Sequence, residues 1–134
     1  MLDVALHSQE GPVRLADIAE RQQISKKYLE HLTSRLEAAG LLRSTRGAGG
    51  GISLTRPASE IRLSEILRIL EGANVLVDCV ANPNRCPRSN SCAAQDVWRE
   101  MGEVIGAFLE SKTLEDLCRQ QRDKEQGAVS IYYI

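Results

Sequence analysis

The stretch "ISKKYLEHLTSRLEAAGLLRSTRGAGGGISLTRP", residues 24–57, holds a helix, a stop and a hairpin in that order. Ser25 stands where a side-chain oxygen can accept from a backbone N–H of the first turn. Gly40 follows the last helical position, where glycine readily takes the left-handed conformation that ends a helix. Between them Leu29, Leu32 and Leu36 recur at spacings of three and four and form an apolar stripe, while Lys27, His31, Ser34 and Arg35 form a polar one. Such a helix buries one face and offers the other. Beyond Gly40, two short β-like runs flank "GAGGG", which reads as a hairpin whose glycines supply the positive φ values of its turn.

Upstream, Leu2, Val4, Ala5 and Leu6 read as the later part of a helix broken near Gly11 and Pro12, and "VRLADIAERQ" as a second short helix with Leu15, Ile18 and Ala19 on one face. Helix, turn, helix and an arginine-tipped hairpin make the order of a winged helix-turn-helix. In that arrangement the early positions of the second helix, Ser25, Lys26, Lys27, Tyr28, Glu30 and His31, are the ones that reach a DNA major groove. Ser25, Lys26, Lys27 and Arg35 suit phosphate oxygens. Glu30 can accept from a cytosine amino group and is repelled by misplaced phosphates, which makes it a discriminator. Arg46, with Gly47, Gly49 and Gly50 letting the backbone approach closely, suits a narrow minor groove. The bland alternative is an ordinary helical domain with a solvent-facing hairpin. A phosphate-binding loop is excluded, because "RGAGGG" lacks the GK[ST] ending and leads into a strand pattern.

Charge follows the same division. The net charge is only −1, yet between Val13 and Arg56 eight Lys and Arg face four acids, whereas from Glu71 onward seven basic residues meet ten acidic ones. The 134 residues suit one compact domain, with five aromatics leaving the core to aliphatic side chains. No stretch has the length and apolarity of a membrane span, and the start lacks the pattern of a secretion signal, so the chain reads as cytoplasmic.

After the helix "LSEILRILEG" comes "CVANPNRCPRSNSC", residues 79–92, with Cys79, Cys86 and Cys92 separated by six and then five residues and no apolar period. Cytosolic thiols stay reduced, so a cluster of them points to metal or redox chemistry. An iron–sulfur cluster, zinc and a thiol switch all remain open on these residues alone, although zinc prefers cysteine pairs two to four residues apart. Further on, Val97, Trp98, Met101, Ile105, Phe108 and Leu109 recur at helical spacing on what reads as the longest helix. Thr113 and Asp116 can cap a final short helix, in which Cys118 is a lone buried thiol, and the apolar tail "AVSIYYI" is expected to dock on something.

Five stretches, "MLDVALHSQEGPVRLADIAERQ", "ISKKYLEHLTSRLEAAGLLRSTRGAGGG", the three-cysteine loop, "VWREMGEVIGAFLESKTLEDL" and the terminal "YYI", resemble the IscR-type winged-helix transcriptional regulators. That superfamily includes iron–sulfur, nitric-oxide and cysteine-metabolism repressors. The resemblance implies a homodimer joined by the long helix, a palindromic operator in double-stranded DNA, and an iron–sulfur cluster (2Fe–2S or 4Fe–4S) held by Cys79, Cys86 and Cys92. Three features depart from the pattern. The first cysteine gap is one residue longer than usual. Gln95 stands where IscR-type members place a histidine ligand. Met1 falls inside the family's first helix, whose basic opening segment would precede it. Gln95 and Asp96 are the candidate fourth ligands nearby, and Asp3 and His7 are candidates from the first helix of a partner chain.

These readings together describe a mostly α protein with a small β-hairpin wing. Residues 1–72 are expected to form the DNA-binding domain with a truncated first helix, 73–94 the cluster-binding loop, and 95–134 the dimerisation helix and tail. The expected function is a repressor controlled by its cluster. A cluster-free regulator sensing thiols or oxidants and a zinc-binding regulator are the alternatives. Catalysis is not expected, since there is no CxxC motif and no set of acid, base and nucleophile.

Overall fold

The computed structural model describes residues 1–72 and 77–131. Helices α1 (Leu2–His7), α2 (Leu15–Gln22) and α3 (Lys26–Ala38) precede the hairpin of β1 (Leu42–Thr45) and β2 (Gly51–Leu54). They are followed by α4 (Leu63–Glu71), the single turn α5 (Asp78–Ala81), α6 (Ala93–Glu110) and α7 (Leu114–Ile131). This is the mostly helical, hairpin-winged architecture that the sequence pattern predicts. The expected loop at 73–94 is in part short helical turns, and its residues 73–76 lie outside the described residues, as does the end of the tail, residues 132–134.

Helix α3 begins and ends as its sequence dictates. The Ser25 hydroxyl accepts from the Tyr28 N–H at 3.2 Å. At the other end Gly40 takes φ +76°, so that its N–H bonds to Glu37 C=O and the Leu41 N–H bonds to Leu36 C=O. This satisfies carbonyls the helix end would otherwise leave orphaned and brings buried Leu36 and Leu41 together. In the hairpin turn only Gly47 has a positive φ, +109°. Gly50 and Gly51 are needed for space instead. A Cβ at Gly50 would lie 2.3 Å from Thr45 O, and one at Gly51 2.5 Å from Val13 O, where Val13 and Ile52 exchange two backbone hydrogen bonds at 2.8 Å.

The core is aliphatic, as the scarcity of aromatics requires. Val4, Ile18, Leu29, Leu36, Leu41, Leu42, Ile52, Ile61 and Ile66 are buried together, and Leu114 and Cys118 of α7 complete the cluster. Tyr28, Trp98 and Phe108 are all exposed. The last helix therefore packs back against α1 and belongs to the core of the winged half. It is also longer than expected, at 18 residues equal to α6. Thr113 and Asp116 do form the reciprocal cap, with the Asp116 N–H on Thr113 Oγ1 at 3.1 Å and the Thr113 N–H on Asp116 Oδ2 at 2.9 Å. Beyond it the polar run 119–126 has no apolar period to announce a helix, but it consists almost entirely of good helix formers and carries a Gln121–Glu125 bond at 2.8 Å.

Among the described side chains, one charged group lies inside. Asp3 is 7 % exposed, and its carboxylate accepts from Arg21 at 2.6 and 3.0 Å and from Gln22 at 2.9 Å. Burial alone would raise its pKa, but the hydrogen bonds from Arg21 and Gln22, with the Arg21 and His7 charges, outweigh that and hold it below the ordinary carboxylate value. The resulting stability is present above the unfolded-state pKa and is lost as pH falls through the lower, folded one. Asp3→Asn leaves Arg21 without its anion and is expected to cost about 2 kcal/mol at neutral pH. Chemical denaturation at pH 7 and pH 3 checks this, and a deficit as large at pH 3 as at pH 7 would remove the ion pair from the explanation.

Candidate nucleic-acid interface and thiol site

The early residues of α3 stand on its open face. Ser25, Lys26, Lys27, Tyr28, Glu30 and His31 are all exposed, while Leu29 is buried beneath them. Lys26 Nζ lies 3.9 Å from Glu30 Oε1, so the acid is partly answered by a cation one turn away. The wing stands beside this face, joined to it by the Ser44 hydroxyl, which donates to the Glu37 carboxylate. Between them runs an open groove of about 340 Å³ lined by Glu30, Thr33, Ser34, Thr45 and Gly51. Arg46, Gly47 and Gly49 are exposed at the turn, and Gly50 is half-buried beneath it. The arrangement presents a helix face and a cationic hairpin tip side by side, the shapes that suit a major groove and its neighbouring minor groove.

Arg35 does something the periodicity of α3 did not show. Its two terminal nitrogens donate to Leu70 O at 2.6 Å and Ile69 O at 2.5 Å, carbonyls of the last turn of α4. The guanidinium thus closes a helix C-terminus, where free carbonyls and the dipole both favour a cation, and a phosphate contact would fall to its remaining N–H groups. Arg56, also counted in the basic excess, pairs with Glu65. No sequence signal links residues 35 and 70, which lie 35 positions apart in the chain.

The three loop thiols are free and half-buried: Cys79 on α5, Cys86 just after the 3-10 turn Pro83–Arg85, and Cys92 at the N-cap of α6. Cys92 borders a cleft of about 520 Å³, together with Ser89, Gln95, Asp96 and Arg99. Among the described residues no three His, Cys, Asp or Glu side chains meet closely enough to hold a metal ion. The donor set fits an iron–sulfur cluster in kind: three unpaired thiols on one loop. Cys118 is apart from the trio, buried in the core, and burial pushes its thiol pKa up, which makes it a poor nucleophile.

The candidate fourth ligands are otherwise engaged. Gln95 is 7 % exposed; its amide nitrogen donates to Cys79 C=O and its amide oxygen accepts from the Ser89 hydroxyl at 2.9 Å. Asp96 pairs with Arg99 at 2.6 Å. On the first helix, Asp3 is committed to Arg21 and Gln22, and His7 Nδ1 lies 2.8 Å from Asp3 O within the same chain. Each of these side chains already has a partner in its own subunit, which it would have to leave to serve as a ligand.

Downstream, α6 carries Val97, Trp98, Met101, Val104, Ile105 and Phe108 on an uncovered face, with Val104 69 % and Phe108 59 % exposed. The opposite side of α6 packs on α4, where the Ser64 hydroxyl donates to Glu110.

A family model described as Rrf2, iron-dependent transcriptional regulator, matches residues 1–120. The chain belongs to the Rrf2 family. Among Rrf2-type relatives, the HTH-type transcriptional regulator IscR of Photorhabdus laumondii is 46 % identical over 121 residues, covering 90 % of this chain and 73 % of its own length. Among solved structures, IscR of T. potens superposes with a TM-score of 0.73 at 38 % identity, covering 90 % of this chain and 78 % of that one. CymR, the global cysteine regulator of B. subtilis, also superposes with a TM-score of 0.73, at 34 % identity and covering 89 % and 87 %. This Rrf2 chain is thus a winged-helix, DNA-binding transcriptional regulator of IscR-like type, and the α3 face with the hairpin tip is its candidate DNA surface. Among its described residues no helix is long and apolar enough to cross a membrane.

Proposed function

We propose that the protein is a cytoplasmic, homodimeric repressor of a palindromic operator whose DNA affinity is set by an iron–sulfur cluster, 2Fe–2S or 4Fe–4S, held by Cys79, Cys86 and Cys92. The observation that carries this reading is the position of three free thiols between the DNA-reading half and the uncovered apolar face of α6. The IscR relatives support it. When bound, the group supplies a centre that responds to oxidants and to iron supply.

The chain's own residues do the rest. Lys26 and Lys27 neutralise phosphates on either side of the groove that α3 enters, with the Ser25 hydroxyl beside them, which makes binding strongly salt-dependent. Glu30 penalises sequences that bring phosphate or an acceptor edge against it and accepts from a cytosine amino group where one is offered. Arg46 enters the narrow minor groove beside the site. Pairing two copies along α6 presents two reading helices to half-sites about one helical turn, roughly 34 Å, apart. A change in the thiol loop between them alters operator affinity only to the extent that one arrangement of the heads is favoured over another.

A second reading, direct sensing of thiols or oxidants by a cluster-free protein, is supported by two observations: the three loop thiols are free, and CymR is among the structural neighbours. Purification without oxygen separates the two. The proposed cluster gives charge-transfer absorption that Cys92→Ser abolishes, together with a change in operator affinity on exposure to air. A colourless protein without iron, whose operator affinity nevertheless responds to oxidant, would favour the second reading, and stoichiometric zinc in place of iron would overturn both.

A further inference from the structure

We propose that Gln95 is a latch that holds the thiol loop in its metal-free conformation, with the cysteines apart. Its side chain sits in the first turn of α6, 7 % exposed, and is the meeting point of two otherwise separate parts of the loop. The amide nitrogen holds Cys79 C=O, sixteen residues upstream, and the amide oxygen receives the Ser89 hydroxyl at 2.9 Å. Both parts need such a tie. Helix α5 is only four residues long, too short to sustain itself, and Ser89 opens the 3-10 turn that leads to Cys92. One neutral side chain thereby fixes the backbone at the first thiol and the approach to the last.

In this conformation the thiols do not converge, and of the three only Cys92 borders the 520 Å³ cleft. Gathering all three requires movement within the loop, and in the proposed latch that movement pulls Cys79 C=O or Ser89 away from Gln95. Opening is opposed because it leaves a buried amide without partners, and the amide is satisfied again only by turning into the cleft beside it. A ligand and a latch predict opposite signs. Removing a ligand hinders metal uptake, whereas removing a latch lets the loop sample the gathered state more often.

The uptake half of this inference rests on the iron–sulfur reading above; the latch itself does not. Its test is the rate at which iodoacetamide alkylates each cysteine in the metal-free, full-length protein, followed by mass spectrometry. Gln95→Met keeps the volume and removes both hydrogen bonds, and Ser89→Ala removes only one of them at a half-buried position, which guards against misfolding of the first variant. Cys118 reports global opening. The expected result is that Gln95→Met speeds alkylation of Cys79 and Cys92 about tenfold, Ser89→Ala does so by a smaller factor, and Cys118 is unchanged in both. Unchanged rates at Cys79 and Cys92 in both variants would overturn the latch. In a second arm, iron and sulfide are supplied without oxygen, and the charge-transfer bands are expected to grow faster in Gln95→Met than in the parent. Slower growth would make Gln95 a ligand or a pre-organiser and also overturn the proposal. Should the parent take up no iron, the iron–sulfur reading fails, and the alkylation rates alone still decide the latch.

Discussion

Ile105→Asp is expected to turn the protein into a monomer and to lower operator affinity by two to four orders of magnitude. Val97, Trp98, Met101, Val104, Ile105 and Phe108 form one stripe along 18-residue α6, and each is at least 38 % exposed in the single chain. A continuous apolar face of this kind is unusual on a lone subunit and marks a contact surface. The proposed pairing of two copies buries it, and a carboxylate there has no partner among the described side chains of the stripe. The cost of desolvating that charge is several kcal/mol, enough to disrupt a small interface. Because Ile105 is already exposed within one subunit, the fold itself is spared. The loss in DNA binding follows from linkage: two heads on one operator act at high effective concentration, and separated heads do not. Sedimentation velocity at micromolar concentration and a gel-shift titration check both parts, with a thermal melt as control. A variant that still sediments as a dimer places the seam elsewhere.

The second large effect concerns stability. Ile61 is fully buried, and its backbone C=O accepts from the Leu114 N–H at 2.9 Å, next to the Leu63 N–H bond to Lys112 O at 3.0 Å. The segments before α4 and before α7 are thus stitched together at the point where Ile61 fills the core between the wing and the last helix. Ile61→Ala removes three buried carbon atoms and leaves a cavity that the two backbone ties prevent from collapsing. The expected cost is about 3 to 4 kcal/mol, a drop in Tm of about 10 °C for a chain of this size. Thermal and urea unfolding of the variant measure it. A loss under about 1 kcal/mol would show that the α4–α7 junction relaxes freely.

The reading helix, its cap, its glycine stop and the hairpin were all legible in residues 24–57, because each depends on neighbours within a turn or two along the chain. Ser25 finds the N–H three residues on, and Gly40 closes the last turn of its own helix. The apolar face of α6 was legible for the same reason, since a spacing of three and four puts side chains on one side whatever surrounds them. The length of α7 was not legible, because a polar run of good helix formers carries no period.

The sequence by itself thus determined the order of elements, the family, and which side chains carry thiol and cationic chemistry. Only the tertiary structure decided what those groups touch. Arg35 reads in the sequence as a phosphate contact, and α4 brings its terminal carbonyls within 2.6 Å of the guanidinium; Gln95 reads as a fourth ligand, and the loop folds Cys79 and Ser89 onto it. Asp3 reads as a candidate for reaching a partner chain, and α2 delivers Arg21 to it. The physical reason is common to all three. A polar side chain advertises its donors and acceptors in its chemistry, but each of the three meets a backbone or side-chain atom at least 16 residues away, and no local pattern specifies that meeting. Packing of the core sets it, and a buried polar group must then be satisfied where packing has placed it.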